Sequence, residues 1–390
     1  MNRTRNRIIL GAVCAGIAIL AFFAEKFPFF IYEEEQIHTS LSEFFSLQHL
    51  VRLLPLLLII LLSAGIICLL IRLRRRFDPL EAARAKRQQA CAGINRPGKV
   101  HIIGQKRSGF MTIRWTCMIL FSVIVMFGGI LTGFTIAGID LPVLACATNR
   151  DQLIESSCYF LAHIPRLLEE YSLSGVILFF VSTIGFALLL GRTICGFLCP
   201  MGLIQDTMHL IRQKTREKAF PMNEKRYRLL APVRWLMILL LFGLTFAGAE
   251  FCSFCPALAT SPILAGMKVS LYLSGFMMIL VLAGSFFKRR FWCNICPLGY
   301  LIGLAHRVSP FRVKKDTVAC TECGACYEAC PMGVKMIYTE REHTDVTDIN
   351  CIMCGECVRK CPEDGALALA FAGKKFYTAS RTQVMSGFKG

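Results

Sequence analysis

Seven histidines are spread over 390 residues, at positions 38, 49, 101, 163, 209, 306 and 343, and none falls inside an apolar run. A b-type haem between membrane helices needs facing axial ligands within them, so that cofactor is excluded. No Cys-x-x-Cys-His occurs, which removes covalent c-type haem. No Gly-x-Gly-x-x-Gly passes from a strand into a helix, which removes direct oxidation of a nicotinamide cofactor. Charge is thin as well, with 18% of residues charged against 55% hydrophobic and a mean hydropathy of +0.53. A chain that apolar is no ordinary soluble domain. Acidic residues are the scarcer sign, 26 against 44 Lys and Arg, for a net charge of +18.

Several apolar runs reach membrane-spanning length. Spans are predicted at 7–23, 50–71, 116–137, 173–190, 236–249 with flanking residues, and 270–287. These six helices make the expected fold an α-helical integral membrane protein, with a small C-terminal α+β domain after it. Basic residues collect at Arg3, Arg5 and Arg7, from Arg72 to Arg107, from Arg212 to Arg228, and from Lys288 onward. The opposite loops carry Glu33, Glu34, Glu35, Asp140, Asp151, Glu155, Glu169 and Glu170. Lys and Arg gather on the cytoplasmic flank, so both termini are expected inside a bacterial cytoplasmic (inner) membrane crossed several times. The same rule accounts for the positive charge, and no nucleic-acid partner is inferred. Basic residues precede the first span and no small-residue cleavage site follows it, which predicts an uncleaved anchor.

What the chain has in quantity is cysteine, 20 residues. Cys320, Cys323, Cys326, Cys330-Pro331 and Cys351, Cys354, Cys357, Cys361-Pro362 repeat one spacing, C-x2-C-x2-C-x3-C-P. That run is a ligand set for two [4Fe-4S] clusters, with the fourth cysteine of each run crossing to the other cluster. Cys361 thus completes Cys320, Cys323 and Cys326, and Cys330 completes Cys351, Cys354 and Cys357. Zinc sites use two pairs rather than two runs of four. Strand-like pieces at 334–339 and 366–370 are predicted to flank these loops.

The membrane part repeats itself. Arg192-Thr-Ile-Cys195-Gly-Phe-Leu-Cys199-Pro200 ends one span and Arg290-Phe-Trp-Cys293-Asn-Ile-Cys296-Pro297 ends another, each followed by x-Gly-x-Leu/Ile. Arg114-Trp115 and Arg234-Trp235 open the spans before them. Two hairpins running the same way suggest a parallel repeat about an axis along the membrane normal. Such a repeat would gather Cys195, Cys199, Cys293 and Cys296 into one four-thiolate site at the cytoplasmic edge, its negative charge balanced by Arg192 and Arg290. A metal-free redox dithiol and simple packing are the other readings. On the far side, Cys146 and Cys158 of one repeat and Cys252 and Cys255 of the other would form either a metal or cluster site or disulfides. Cys14, Cys68, Cys91 and Cys117 are scattered and read as packing residues.

The chain therefore divides into an N-terminal transmembrane hairpin (1–71), a basic cytoplasmic linker (72–110), a four-helix membrane core (111–308) and a two-cluster ferredoxin-like domain (309–390). From 114 to 369 the motif combination resembles the membrane polyferredoxins of the NapH, NosR and CcoG type, and is closest to a NapH-like branch. The Cys-x2-Cys-Pro of the second membrane motif departs from the three intervening residues common in that family. No flavin-attachment-type periplasmic domain like that of the NosR group is recognisable, nor the C-terminal periplasmic domain of the CcoG group. The resemblance implies electron transfer between a quinol pool or cytoplasmic donor and a periplasmic reductase, or metal reduction during oxidase assembly. Two [4Fe-4S] clusters, one or two further Fe-S clusters in the membrane core, and a quinone are the cofactors considered. Arg234 with His209, or His49 with Arg52, are the candidate quinone contacts. Redox subunits on the cytoplasmic and periplasmic sides are the expected partners, for an electron-transfer subunit of an oxidoreductase. Two other functions stay open: a thiol- or copper-handling assembly factor, and a membrane redox sensor, which would need an output domain not evident in the sequence.

Overall fold

The computed structural model describes residues 56–72, 109–132, 140–144, 155–156, 173–215, 224–246, 254–260, 263 and 272–380. The expected span at 7–23, nearly all of the linker, Cys146, Cys158, Cys252, and the quinone candidates His49 and Arg52 lie outside the described residues. The other five expected spans fall on helices: α1 (Leu56–Arg72), α2 (Gly109–Thr132), α3 (Leu173–Leu190), α6 (Glu224–Phe246) and α7 (Tyr272–Phe287). By length and composition, two helices among the described residues suffice to cross a membrane, over Gly109–Gly128 and Leu173–Leu190. Three further apolar helices are shorter, at Leu56–Arg72, Pro232–Gly243 and Leu273–Phe287. Leu61, Leu173, Val181 and Leu239 on these helices are each more than half exposed. Large apolar side chains turned outward in rows reverse the arrangement of a soluble bundle.

Both cysteine repeats share one construction. After α3 the chain turns at Gly191, makes the short helix α4 (Thr193–Phe197), and enters α5 (Pro200–Lys214) through Cys199. After α7 it makes a 3-10 turn (Trp292–Asn294) and enters α8 (Pro297–Ala305) through Cys296. Proline disfavours the α conformation in the residue before it and suits the first helical position itself. Cys199 and Cys296 accordingly have ψ of 122° and 121° and cap the next helix. Cys255 repeats the device, with ψ 121° before a 3-10 turn at Pro256–Ala259. The second motif has one residue fewer between its cysteines, and the tighter 3-10 turn takes up that difference.

The C-terminal module is built on an antiparallel sheet in the order β3 (Phe311–Lys315), β4 (Leu367–Phe371), β5 (Lys374–Thr378). A two-residue parallel pair, β1 (Asp140–Leu141) with β2 (Glu155–Ser156), lies upstream in the chain. The β3–β4 pairing joins the start of the module to its end. Between them stand three short helices, α9 (Ala325–Ala329), α10 (Met336–Thr339) and α11 (Glu356–Lys360). The expected strand at 366–370 is β4, shifted by one residue. The expected strand at 334–339 is instead the helical turn α10. Its local bonds from Tyr338 and Thr339 to the Lys335 carbonyl (2.9 and 3.1 Å) replace a ladder partner that the sheet does not supply.

The module sits on the ends of the repeat motifs. Gly196 passes so close to the Ile352 carbonyl that any Cβ there would overlap it. Arg192 and Arg234 both donate to the Asn350 side-chain oxygen, at 3.0 Å each, and Arg234 also lies over the Tyr300 ring, 4.3 Å from its centroid. Lys288 reaches the Pro331 carbonyl at 2.7 Å. A single buried cluster contains Cys293 together with Val313, Ile352 and Val358 of the module.

Candidate metal centre

Cys195, Cys199, Cys293 and Cys296, supplied by the two repeats, line one small pocket with Arg192, Trp292, Leu298 and Ile302. Within the module, Cys330 joins Cys351, Cys354 and Cys357 around a second small pocket. Cys361 lies close enough to Cys320, Cys323 and Cys326 for their charges to act on it. The structure therefore groups the module's eight cysteines in the crossed pattern, each fourth residue beside the other run's first three. Among the described residues, no three Cys, His, Asp or Glu side chains converge tightly enough to hold a single metal ion.

The thiols' electrostatics are dominated by burial. Burial pushes the Cys195 thiol up to about 12, with Cys199 and Cys293 adding to the rise and Arg192 opposing it. Burial likewise raises Cys330 and Cys361, each to about 11. Metal ligands must be thiolates, and several buried thiolates in one place need positive charge among them. The donor set fits Fe-S clusters on this ground, as it does on polar contacts to sulfur. The Gly299 N–H donates to Cys296 Sγ at 3.4 Å, Gln205 Nε2 to Cys293 Sγ at 3.3 Å, and the Val334 N–H to Cys330 Sγ at 3.4 Å.

Arg192 and Arg290 are fully buried. Arg192 donates to the carbonyl of Cys293 and lines the cavity. Arg290 donates from Nη1 to the Cys195 carbonyl at 2.6 Å and stands 3.8 Å from Cys293 Sγ. Asp206 on α5 was not anticipated from the sequence. Its buried carboxylate accepts from Arg290 (3.1 and 2.6 Å), from Arg289 (2.9 Å) and from Arg114. Arg289 then reaches Glu356 of α11 at 2.8 Å, between Cys354 and Cys357 in sequence. Its signal was faint: a lone acid two helical turns past Cys199-Pro200, in a stretch otherwise free of acids.

Cys255 is buried in the apolar core, and its three expected companions lie outside the described residues. His209 is held by Arg212 and Gln213, at 3.1 Å each, and Arg234 by Asn350 and Tyr300.

Comparison with known proteins yields the same class from two directions. The 4Fe-4S dicluster domain family matches residues 312–362, and the 4Fe-4S binding domain family matches twice, at 173–218 and 270–316. The double match coincides with the two membrane repeats. These are the domains of ferredoxin-type electron-transport proteins. An uncharacterized protein of Methanocaldococcus jannaschii is 30% identical over 226 residues, 56% of this chain and 88% of that protein. The methylamine utilization ferredoxin-type protein MauN of Paracoccus denitrificans is 33% identical over 147 residues, 36% of this chain and 48% of MauN. The ferredoxin-type protein NapH of Haemophilus influenzae is 24% identical over 189 residues, 46% of this chain and 60% of NapH. The chain belongs to the NapH-like polyferredoxin family. No solved structure matches it.

Proposed function

We propose that the chain is a multi-pass membrane protein that passes electrons between cytoplasmic ferredoxin-type sites and the membrane or periplasmic face, through a further site held by Cys195, Cys199, Cys293 and Cys296. The observation that carries this reading is adjacency. Cys293 belongs to the same buried cluster as Cys351, Cys354 and Cys357, and Cys195 packs against it.

Each four-cysteine set would hold a [4Fe-4S] cubane, which supplies one-electron storage when bound. The protein's own part is to seat the sites, exclude water and set charge. Trp292, Leu298 and Ile302 wall the membrane-edge cavity with apolar surface. Arg192 and Arg290 carry positive charge beside the thiolates, and Gly299 and Gln205 donate to sulfur. Asn350, between Arg192 and Arg234, fixes the module against that wall. Cys323 is exposed, so the outer module site is the proposed contact for a cytoplasmic redox subunit. A quinone or a periplasmic subunit is the proposed partner at the other end, with N-in, C-in orientation in a bacterial inner membrane.

Iron and acid-labile sulfide counted on the purified full chain test the assignment. Three four-iron sites give about 12 iron atoms and the two module sites alone give about 8. A count near 8, with Cys195 and Cys293 open to alkylation without iron loss, would instead make the membrane cysteines a thiol or copper device.

A further inference from the structure

We propose that Asp206 is a positioning residue: it holds the Arg290 guanidinium against Cys293 and thereby raises the redox potential of the Cys195, Cys199, Cys293 and Cys296 site. The inference rests on reading that site as a cluster site.

Asp206 and Arg290 have no solvent exposure at their side chains. Both Nε and Nη2 of Arg290 are committed to the carboxylate, at 3.1 and 2.6 Å. That two-point grip leaves Nη1 directed at the Cys195 carbonyl (2.6 Å) and Cys293 Sγ (3.8 Å). The backbone of Arg290 is left-handed, φ 59°, a conformation that costs a non-glycine residue free energy and persists only where its surroundings impose it. Arg114 approaches from the other side, donating to the Gly196 carbonyl at 3.1 Å and to the same carboxylate. The Cys195–Gly196 backbone is thus held by two arginines that share one anchor.

One electron taken up by the four-thiolate site adds one negative charge and no proton. A guanidinium beside the sulfur, away from water, favours that more negative form and moves the potential up. Asp206, taken as a bare charge, acts in the opposite sense, since a nearby anion disfavours reduction. The two roles predict shifts of opposite sign when the carboxylate is removed. Without it, the buried Arg114 and Arg290 lose their common carboxylate while Arg289 keeps Glu356, and the fork of Arg290 loses the acceptor that aims it.

The test is an EPR-monitored redox titration of the full chain, reduced by dithionite, with iron counted in parallel. Arg290→Gln should lower the midpoint potential of the membrane-edge signal and leave the two module signals in place. Arg290→Lys, a point charge without the fork, should fall between. Asp206→Asn should shift the signal down as Arg290→Gln does, and add little to it in the double variant. An upward shift or none in Asp206→Asn overturns the proposal. If Asp206→Asn fails to fold, Asp206→Glu decides: it keeps the charge and displaces the carboxylate, so a lowered potential supports positioning and an unchanged one overturns it. A wild-type chain with about 8 iron atoms and no third signal would remove the cluster reading itself, a separate failure visible before any variant is made.

Discussion

His306 caps the end of α8 with 1% of its surface exposed and with no hydrogen-bond partner for either ring nitrogen among the described residues. Its ring packs against Gly191, whose left-handed turn (φ 54°) and missing side chain make the approach feasible. Burial lowers the imidazole to about 4, Arg312 and Arg192 push the same way, and Asp348 and Asp345 oppose them. The folded protein therefore holds a neutral ring where the unfolded chain binds a proton near pH 6.5. The sign follows from linkage: with the folded value depressed, the unfolded state binds more protons between pH 6.5 and 4. Stability is complete above that window and falls by about 3 kcal/mol across it. Thermal midpoints measured from pH 7.5 to 4.5 should fall less steeply in His306→Leu than in the wild type. Parallel slopes would show that the ring is not the titrating group.

At the scale of elements, the outward apolar faces carry the membrane assignment. Val181 stands mid-way along α3, 63% exposed among other exposed apolar residues. Val181→Arg would place a charge on that face at a cost to insertion of about 3 kcal/mol. The membrane-bound fraction should drop while a buried-face control such as Phe179→Leu stays membrane-bound. An unchanged fraction for Val181→Arg would mean that lipid does not cover α3. Such helices were legible because composition alone specifies a long apolar run. The Cys-Pro motifs were legible because spacing and the fixed φ of proline are local facts. Other parts were not, and for physical reasons. Residues 334–339 are strand-like in composition, but without a ladder partner they close as a turn. Asp206, Arg289, Glu356 and Asn350 owe their place at the site to partners distant in sequence, so no local pattern marks them. The one-residue difference between the two membrane motifs suggested unequal site geometry, and only the 3-10 turn at Trp292–Asn294 shows how it is absorbed.

At the scale of the whole molecule, the proposed function sets the three four-cysteine sites in series. Cys323 of the outer module set is exposed, Cys351, Cys354 and Cys357 of the inner set are buried, and Cys293 and Cys195 of the membrane-edge set share a buried cluster with cysteines of both module sets. Arg289 ties the inner and membrane-edge sets electrostatically by bridging Glu356 and Asp206. If electrons enter at the exposed end, the inner set is the obligatory step between the other two. Cys351→Ser should then leave the outer site reducible by a cytoplasmic-side ferredoxin while reduction of the membrane-edge site slows by orders of magnitude. Rapid-freeze EPR of the two signals in time measures this. The converse variant, Cys323→Ser, should slow both inner sites when the reductant is a protein and neither when it is a small diffusible dithionite. Equal rates at the membrane-edge site in wild type and Cys351→Ser would mean that electrons enter from the membrane side, and the series would run the other way.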